Sequence, residues 1–164
     1  MSTFRVRPAT REDSALVLAL ISELAAYEDA AGMVRIDENR LARYVFTERP
    51  LAEIFLAFEG GQPAGYAMVF AIFSSYQGLP MLFLEDLYLR ETVRGKGYGR
   101  RFMSFLARLA LSRGCYSLAW GVLHWNQAAI AFYRHLGSER EEGHQHYSLS
   151  GAPLESLANY WPGE

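Results

Sequence analysis

The chain has 164 residues, 51% hydrophobic and 21% charged, which is the length and make-up of one globular domain and too apolar for disorder. A formal net charge of −2 excludes broad nucleic-acid binding, which shows as a basic excess, but leaves room for a local basic cluster holding a small anion. The single cysteine, Cys115, excludes an internal disulfide and fits a reducing compartment. "MSTFRVRPATRED" has no apolar signal core and no run reaches membrane-span length, so the expectation is a soluble, cytoplasmic, single-domain protein over residues 1–164.

In chain order, "FRVRPA" alternates as a short first strand closed by Pro8. Thr10 stands at the N-cap of a helix predicted through about Tyr27, with Val17, Leu20, Ile21 and Leu24 as its apolar stripe. A second helix is predicted from Asp37 to about Phe46, ahead of Pro50. "AEIFLAFEGGQPAGYAMVFAIFSS" reads as two strands joined at Gly60 and Gly61, and "MLFLEDLYL" (Met81 to Leu89) as a third, apolar except for Glu85 and Asp86. A helix striped by Phe102, Phe105, Leu106 and Leu109 follows, ending near Gly114. "YSLAWGVL" is the next strand, Asn126 caps a helix to about Leu136, "HQHYSLS" is a last strand and "PLESLANYW" a terminal helical turn. This order predicts an α/β fold with a mixed sheet, and a crossover that sets Met81–Leu89 parallel to Ser117–Leu123.

Between that strand and helix lies "RGKGYGRRF", three alternate glycines among Arg94, Lys96, Arg100 and Arg101. Glycine-rich backbone can turn several N–H groups inward, and a helix starting there adds its own free N–H groups and positive dipole end. The stretch is therefore either a plain turn or a cradle for a phosphate or pyrophosphate. Two familiar phosphate loops are excluded: Arg90 stands where a Walker A loop needs its first glycine, and the spacing G-x-G-x-G differs from the dinucleotide fingerprint.

Glu85 and Asp86 are adjacent on a strand and so face opposite sides of the sheet, unless a bulge or splay intervenes. From the residues alone, one of them is simply solvated at an edge, or both serve chemistry. Tyr133 shares a helix face with Ile130 and Leu136, and periodicity alone makes it a core tyrosine. Tyr27, Glu28 and Asp29 form a charged helix end. His144 and His146 share a strand face without a recognisable third metal ligand, and no metal is assigned. Cys115, at a helix C-terminus that disfavours a thiolate, reads as a buried structural cysteine.

Taken together, "RPAT", "ELAAYE", "FLEDLYL", "RGKGYG", "WNQAAIAFY" and "EEG" resemble the Gcn5-related N-acetyltransferase (GNAT) superfamily, and within it the spermidine/spermine (diamine) and thialysine acetyltransferase branch, over nearly the whole chain. The resemblance implies a mostly antiparallel sheet splayed between its two parallel central strands, with helices on both faces. It implies acetyl-CoA as cofactor. Its pyrophosphate would lie on Arg94, Gly95, Lys96, Gly97, Tyr98, Gly99 and Arg100, its pantetheine arm along the backbone of Leu87, Tyr88 and Leu89, and further groups at Asn126, Gln127, Ala128 and Ala129. Tyr133 matches the general acid that protonates the coenzyme A thiolate and Glu85 the base, directly or through water. Tyr27, Glu28, Glu85, Asp86, Ala119, Trp120 and Gly121 match positions around a cationic amine.

The resemblance further implies a small-molecule amine substrate and a homodimer. Two departures weigh against a long polyamine: His144 in place of a tryptophan after "EEG", and "AAG" (Ala30 to Gly32) where the branch has acidic residues or glutamine. "GVLHWNQ" leans towards lysine-like amines. The alternative is a module that binds acyl-CoA as a sensor or docking unit without turning it over.

Overall fold

Strand neighbours in sequence are neighbours in the sheet, which runs β1-β2-β3-β4-β5. These are β1 (Phe4–Pro8), β2 (Glu53–Glu59), β3 (Gln62–Ser74), β4 (Leu79–Leu89) and β5 (Leu118–Trp120). The first four pair antiparallel, and β5 joins β4 in parallel through Leu82↔Leu118, Phe83↔Ala119 and Leu84↔Trp120. The computed structural model describes residues 3–143 and 145–161. They fall into two compact units, 1–125 and 126–164.

In the first unit, β2 is buried on both faces, and its alternation decides which helix each residue meets. Ile54 and Leu56 pack with Val17 and Leu20 of α1 (Ser14–Tyr27) and Leu41 of α2 (Glu38–Tyr44). Phe55 turns the other way, its ring 5.1 Å from Phe105 of α3 (Tyr98–Ser112). On that side Phe4 stacks on Tyr98 at 4.5 Å and meets Phe102 edge-on at 6.2 Å. Helices therefore cover both faces. Leu20, Leu41, Leu56, Leu82 and Leu106 are wholly buried, and each stabilises the fold by roughly 1.5–3 kcal/mol relative to exposure.

The Asp37 and Asn126 caps form as expected, but Thr10 caps only a short 3-10 turn, and α1 itself starts at Ser14 with Asp13 as its N-cap. A turn at Arg11–Asp13 leads into α1, where Asp13 accepts the Thr10 N–H at 2.8 Å and is gripped by both Arg7 guanidinium nitrogens at 2.6 and 2.8 Å. The Arg7 hydrogen bonds hold the Asp13 carboxyl down at about 2, tying the start of α1 to β1. The Asp37 side chain caps α2 through the Arg40 N–H at 2.8 Å. Cys115 is buried just beyond α3.

The second unit holds α4 (Gln127–His135) and α5 (Ala152–Asn159). Asn126 Oδ1 accepts the Ala129 N–H at 3.1 Å and caps α4. The terminal helical turn is a full two-turn helix, α5.

Two expectations are corrected. The strand read over Tyr116–Leu123 is only Leu118–Trp120, because Gly121, Val122 and Leu123 leave the sheet and lie exposed. The last strand, "HQHYSLS", does not form over residues 145–150; its only large apolar residues, Tyr147 and Leu149, are exposed, so the alternation has no face to bury. His144 lies outside the described residues.

Gly65 sets how closely β3 and β4 approach: a Cβ there would meet the Tyr88 carbonyl oxygen at 2.0 Å and Leu89 Cα at 2.9 Å. Backbone atoms inside a ladder cannot swing aside. Gly65→Ala is expected to cost about 3 kcal/mol or more in urea unfolding, whereas Gly32→Ala, where a Cβ meets nothing within 4 Å, should change stability little.

Candidate active site

The parallel pairing ends at Leu84↔Trp120, yet β4 runs on to Leu89 with only β3 beside it. The two central strands thus part, leaving one edge of residues 85–89 open. At the same level β4 carries a bulge: Met68 pairs with Asp86 and Val69 with Leu84, so Glu85 has no partner on β3. A bulge locally breaks the alternation and re-aims side chains, and the Glu85 charge acts on the Asp86 carboxyl. Glu85 is exposed, while Asp86 is half-buried and accepts a 2.9 Å hydrogen bond from the wholly buried Tyr66 hydroxyl.

A third carboxylate joins from the end of α1. Ala30 N–H reaches the Ala25 carbonyl at 2.7 Å and Asp29 N–H that of Ala26 at 3.3 Å, with Asp29 at φ 58. This paired closure with a left-handed residue turns the chain sharply and fixes Tyr27 and Glu28. Burial raises the Glu28 carboxyl above its ordinary range. Burial pushes Asp86 up to about 6; the Tyr66 hydrogen bond opposes this, and the charges of Glu85 and Glu28 add to it. Tyr66 itself is raised by burial and by Asp86.

Beyond Leu89, a turn at Glu91–Val93 leads to the glycine loop. Gly95 and Gly97 adopt φ of 75° and 79°, which L side chains rarely take, and Gly97 is the N-cap of α3 with no side chain capping it. The first N–H groups of α3 thus receive no cap from their own N-cap residue. Lys96 Nζ reaches Glu59 at 3.0 and 3.1 Å, and the Tyr98 hydroxyl donates to the same carboxylate at 2.7 Å. Arg101 donates to the Phe4 carbonyl at 3.3 Å. Among the described residues Arg100 has no hydrogen-bond or ion-pair partner, and it lines an open cavity of about 350 Å³ with Gly97, Arg101 and Ser104.

Arg94 turns the other way. Its Nε donates to the Leu89 carbonyl at 2.8 Å, and its guanidinium lies 4.8 Å from the Tyr27 ring and 5.7 Å from that of Tyr88. Trp125 stands 6.3 Å from Tyr27 on centroids.

The structure therefore brings Glu28, Glu85 and Asp86 together, with Tyr27 at the same helix end as Glu28. Leu87, Tyr88 and Leu89 lie on the open stretch of β4, opposite Ala67, Tyr66 and Gly65. Ala119 and Trp120 lie on β5, and Gly121 just past it. Asn126, Gln127, Ala128, Ala129 and Tyr133 belong to the second unit, where Tyr133 is half-buried. His146 is exposed, and the described residues contain no group of three side chains able to hold a metal. Two participants escape sequence reading. Tyr66 looks like any apolar strand residue, and Glu59 like part of a turn; each acquires its partner only through strand register and the folding back of the loop.

Parallel strands that part beside a glycine loop at a helix N-terminus are the arrangement that the resemblance to acetyltransferases implies. Residues 18–137 match the acetyltransferase (GNAT) family model, and the chain belongs to that family. It is accordingly an acetyl-CoA-dependent N-acetyltransferase. Its relatives include a thialysine N-epsilon-acetyltransferase of Bos taurus, 33% identical over 96% of this chain and 99% of the relative. A spermidine/spermine N(1)-acetyltransferase-like protein 1 of Homo sapiens is 29% identical over 96% of this chain and 24% of its own length. In fold, the chain resembles an integron cassette protein from the mobile metagenome of V. cholerae, with a TM-score of 0.78, 24% identity and coverage of 94% and 97% of the two chains.

The raised Asp86 carboxyl carries a stability signature. The folded chain keeps this proton to a higher pH than the unfolded chain, whose aspartate titrates at its ordinary 3.8, so stability falls as pH rises towards about 6 and levels above. Asp86→Asn removes that titration. Its stability relative to the parent is expected to rise by up to about 3 kcal/mol between about pH 4 and pH 7, measured by urea unfolding.

Proposed function

We propose that residues 1–164 act as a single N-acetyltransferase domain that moves acetyl from acetyl-CoA to the primary amine of a small cationic substrate, a diamine, polyamine or lysine/thialysine-like molecule, by direct transfer in a ternary complex. The observation that carries this reading is the gathering of Glu28, Glu85 and Asp86 where β4 and β5 part. Carboxylates from two elements at the mouth of a cleft attract and orient a cation. The names of the relatives, thialysine and spermidine/spermine acetyltransferases, point to the same chemistry.

Acetyl-CoA, when bound, supplies the acetyl thioester. The residues fit its anionic end: the α3 N-terminus has no side-chain cap, a Cβ on Gly97 would meet no protein atom within 4 Å, and Arg100 has no partner among the described residues. Gly95, Gly97, Tyr98, Gly99 and Arg100 would hold the pyrophosphate. Lys96 would contribute through the loop, its ammonium being engaged by Glu59, and Arg94 from the side of Tyr27. The open edge of Leu87–Leu89 offers backbone groups to the pantetheine arm, and Asn126 to Ala129 the remaining contacts.

An alkylamine with a pKa of about 10 is mostly ammonium at neutral pH, so a base is needed. Glu85, exposed on the bulge, is assigned that role, taking the proton directly or through water. Tyr27, Glu28, Asp86 and Ala119 to Gly121 surround the amine. Tyr133 is assigned as the acid whose hydroxyl proton passes to the leaving thiolate. The domain is read as cytoplasmic and homodimeric, and solution scattering is expected to give the mass of two chains; a monomer mass would refute the dimer.

The deciding experiment is turnover of acetyl-CoA with a panel of diamines, polyamines, lysine analogues and amino-acid amines. Acetylation of cationic primary amines is expected, and silence across the panel would overturn the reading. In Tyr133→Phe, kcat with the best amine should fall roughly 100-fold or more with acetyl-CoA affinity preserved, as for loss of a general acid. Unchanged turnover would remove Tyr133 from that role.

A further inference from the structure

Among the described residues, Tyr66 is the one wholly buried side chain whose hydroxyl bonds to the carboxylate cluster, and the acetyl transfer proposed above does not use it. Its ring is set among Val17, Leu20, Leu41, Ile54 and Leu56, so the hydroxyl cannot follow a partner that moves. On β3 it stands opposite Tyr88 and reaches diagonally to Asp86, two residues along β4, at 2.9 Å. A buried phenol needs a partner. Choosing a carboxylate beside two further carboxylates, in a half-buried position, makes sense only if that charge is wanted.

We propose that Tyr66 is a positioning residue of the amine site: its hydroxyl fixes Asp86 and keeps that carboxylate ionised to receive the substrate's ammonium. The proposal rests on the amine-acetylation reading above. The groups around Asp86 are Tyr66 from β3, Glu85 from β4 itself and Glu28 from the end of α1, while β5 (Leu118, Ala119, Trp120) brings no titratable side chain. Burial, Glu85 and Glu28 all favour the neutral acid; the Tyr66 hydroxyl is the group acting the other way. Removing it leaves those three unopposed, so Asp86 keeps its proton to a higher pH and presents less charge to an ammonium near neutrality.

The test is Tyr66→Phe, which keeps the ring and its packing. With a diamine as substrate, the acid limb of kcat/KM is expected to move up by about one pH unit. KM for the amine should rise about twofold at pH 7 and about fivefold at pH 6 and recover in alkali, with kcat at saturating amine changed less than about twofold. A merely structural role predicts a loss that is uniform across pH, and an unmoved acid limb overturns the proposal. In an Asp86→Asn background the phenylalanine substitution should no longer move the limb; a shift that persists there also overturns it.

A readout without substrate separates this proposal from the reading it rests on. In 13C-aspartate-labelled protein, with Asp86 assigned through Asp86→Asn, the carboxyl midpoint should be higher in Tyr66→Phe than in the parent; equal midpoints refute the role of Tyr66 even if every amine is turned over. Absence of amine turnover with a shifted midpoint would instead sink the substrate reading. Should Tyr66→Phe fail to fold, the Tyr66 hydroxyl proton of the parent is followed by NMR: it should exchange slowly and shift as Asp86 titrates, and indifference to that titration overturns the proposal.

Discussion

Between Leu84 and Asp86 the β4 backbone carries one residue more than β3 has to meet it, and β5 stops pairing at the same level. These two facts are mechanically related. A bulge adds local twist and breaks the even ladder, so a neighbour that must keep straight hydrogen bonds cannot follow past it. The consequence is an open β4 edge beginning where the carboxylates stand. The carboxylates and the open edge meet at one irregularity, and Gly65, by letting β3 lie almost against the Tyr88 carbonyl, keeps the remaining side of β4 closed.

The two ends of that open stretch carry opposite charge. Glu28, Glu85 and Asp86 lie at one end, and the glycine loop with its cations follows the other. Opposed charges this near would collapse onto each other if left unconstrained. Instead Lys96 is occupied by Glu59, Arg101 is stacked near Phe4 and Tyr98, and Arg94 is held by the Leu89 carbonyl over Tyr27. Arg100 faces the cavity at the start of α3. Acidic and basic groups coexist at the two ends of this stretch because nearby groups take up most of the cations.

Much of the architecture is legible in local pattern: the stripe of α1, the Asp37 and Asn126 caps, the Gly60–Gly61 turn and the crossover that makes β4 and β5 parallel. The glycine loop is legible for the same reason, since left-handed backbone demands glycine at Gly95 and Gly97. What is not legible depends on register. Strict alternation puts Glu85 and Asp86 on opposite faces, and nothing local announces that one residue is skipped. Tyr66 reads as core because its ring is core; only its hydroxyl, bonded diagonally across the ladder to Asp86, departs from that reading. The strand read at 144–150 does not form over 145–150 because alternation is a statement about a face to be buried, and Tyr147 and Leu149 have none.

Glu59 deserves a last consideration as a fastener. Two residues of the glycine loop, Lys96 and Tyr98, end on this one carboxylate, which lies at the end of β2. Glycine surrenders more backbone freedom than any other residue when it is ordered, and a loose loop would surrender it afresh at each encounter with a ligand. By pinning the residues on either side of Gly97 to the sheet, Glu59 moves that loss of entropy from binding into folding, where it is met once by the whole core.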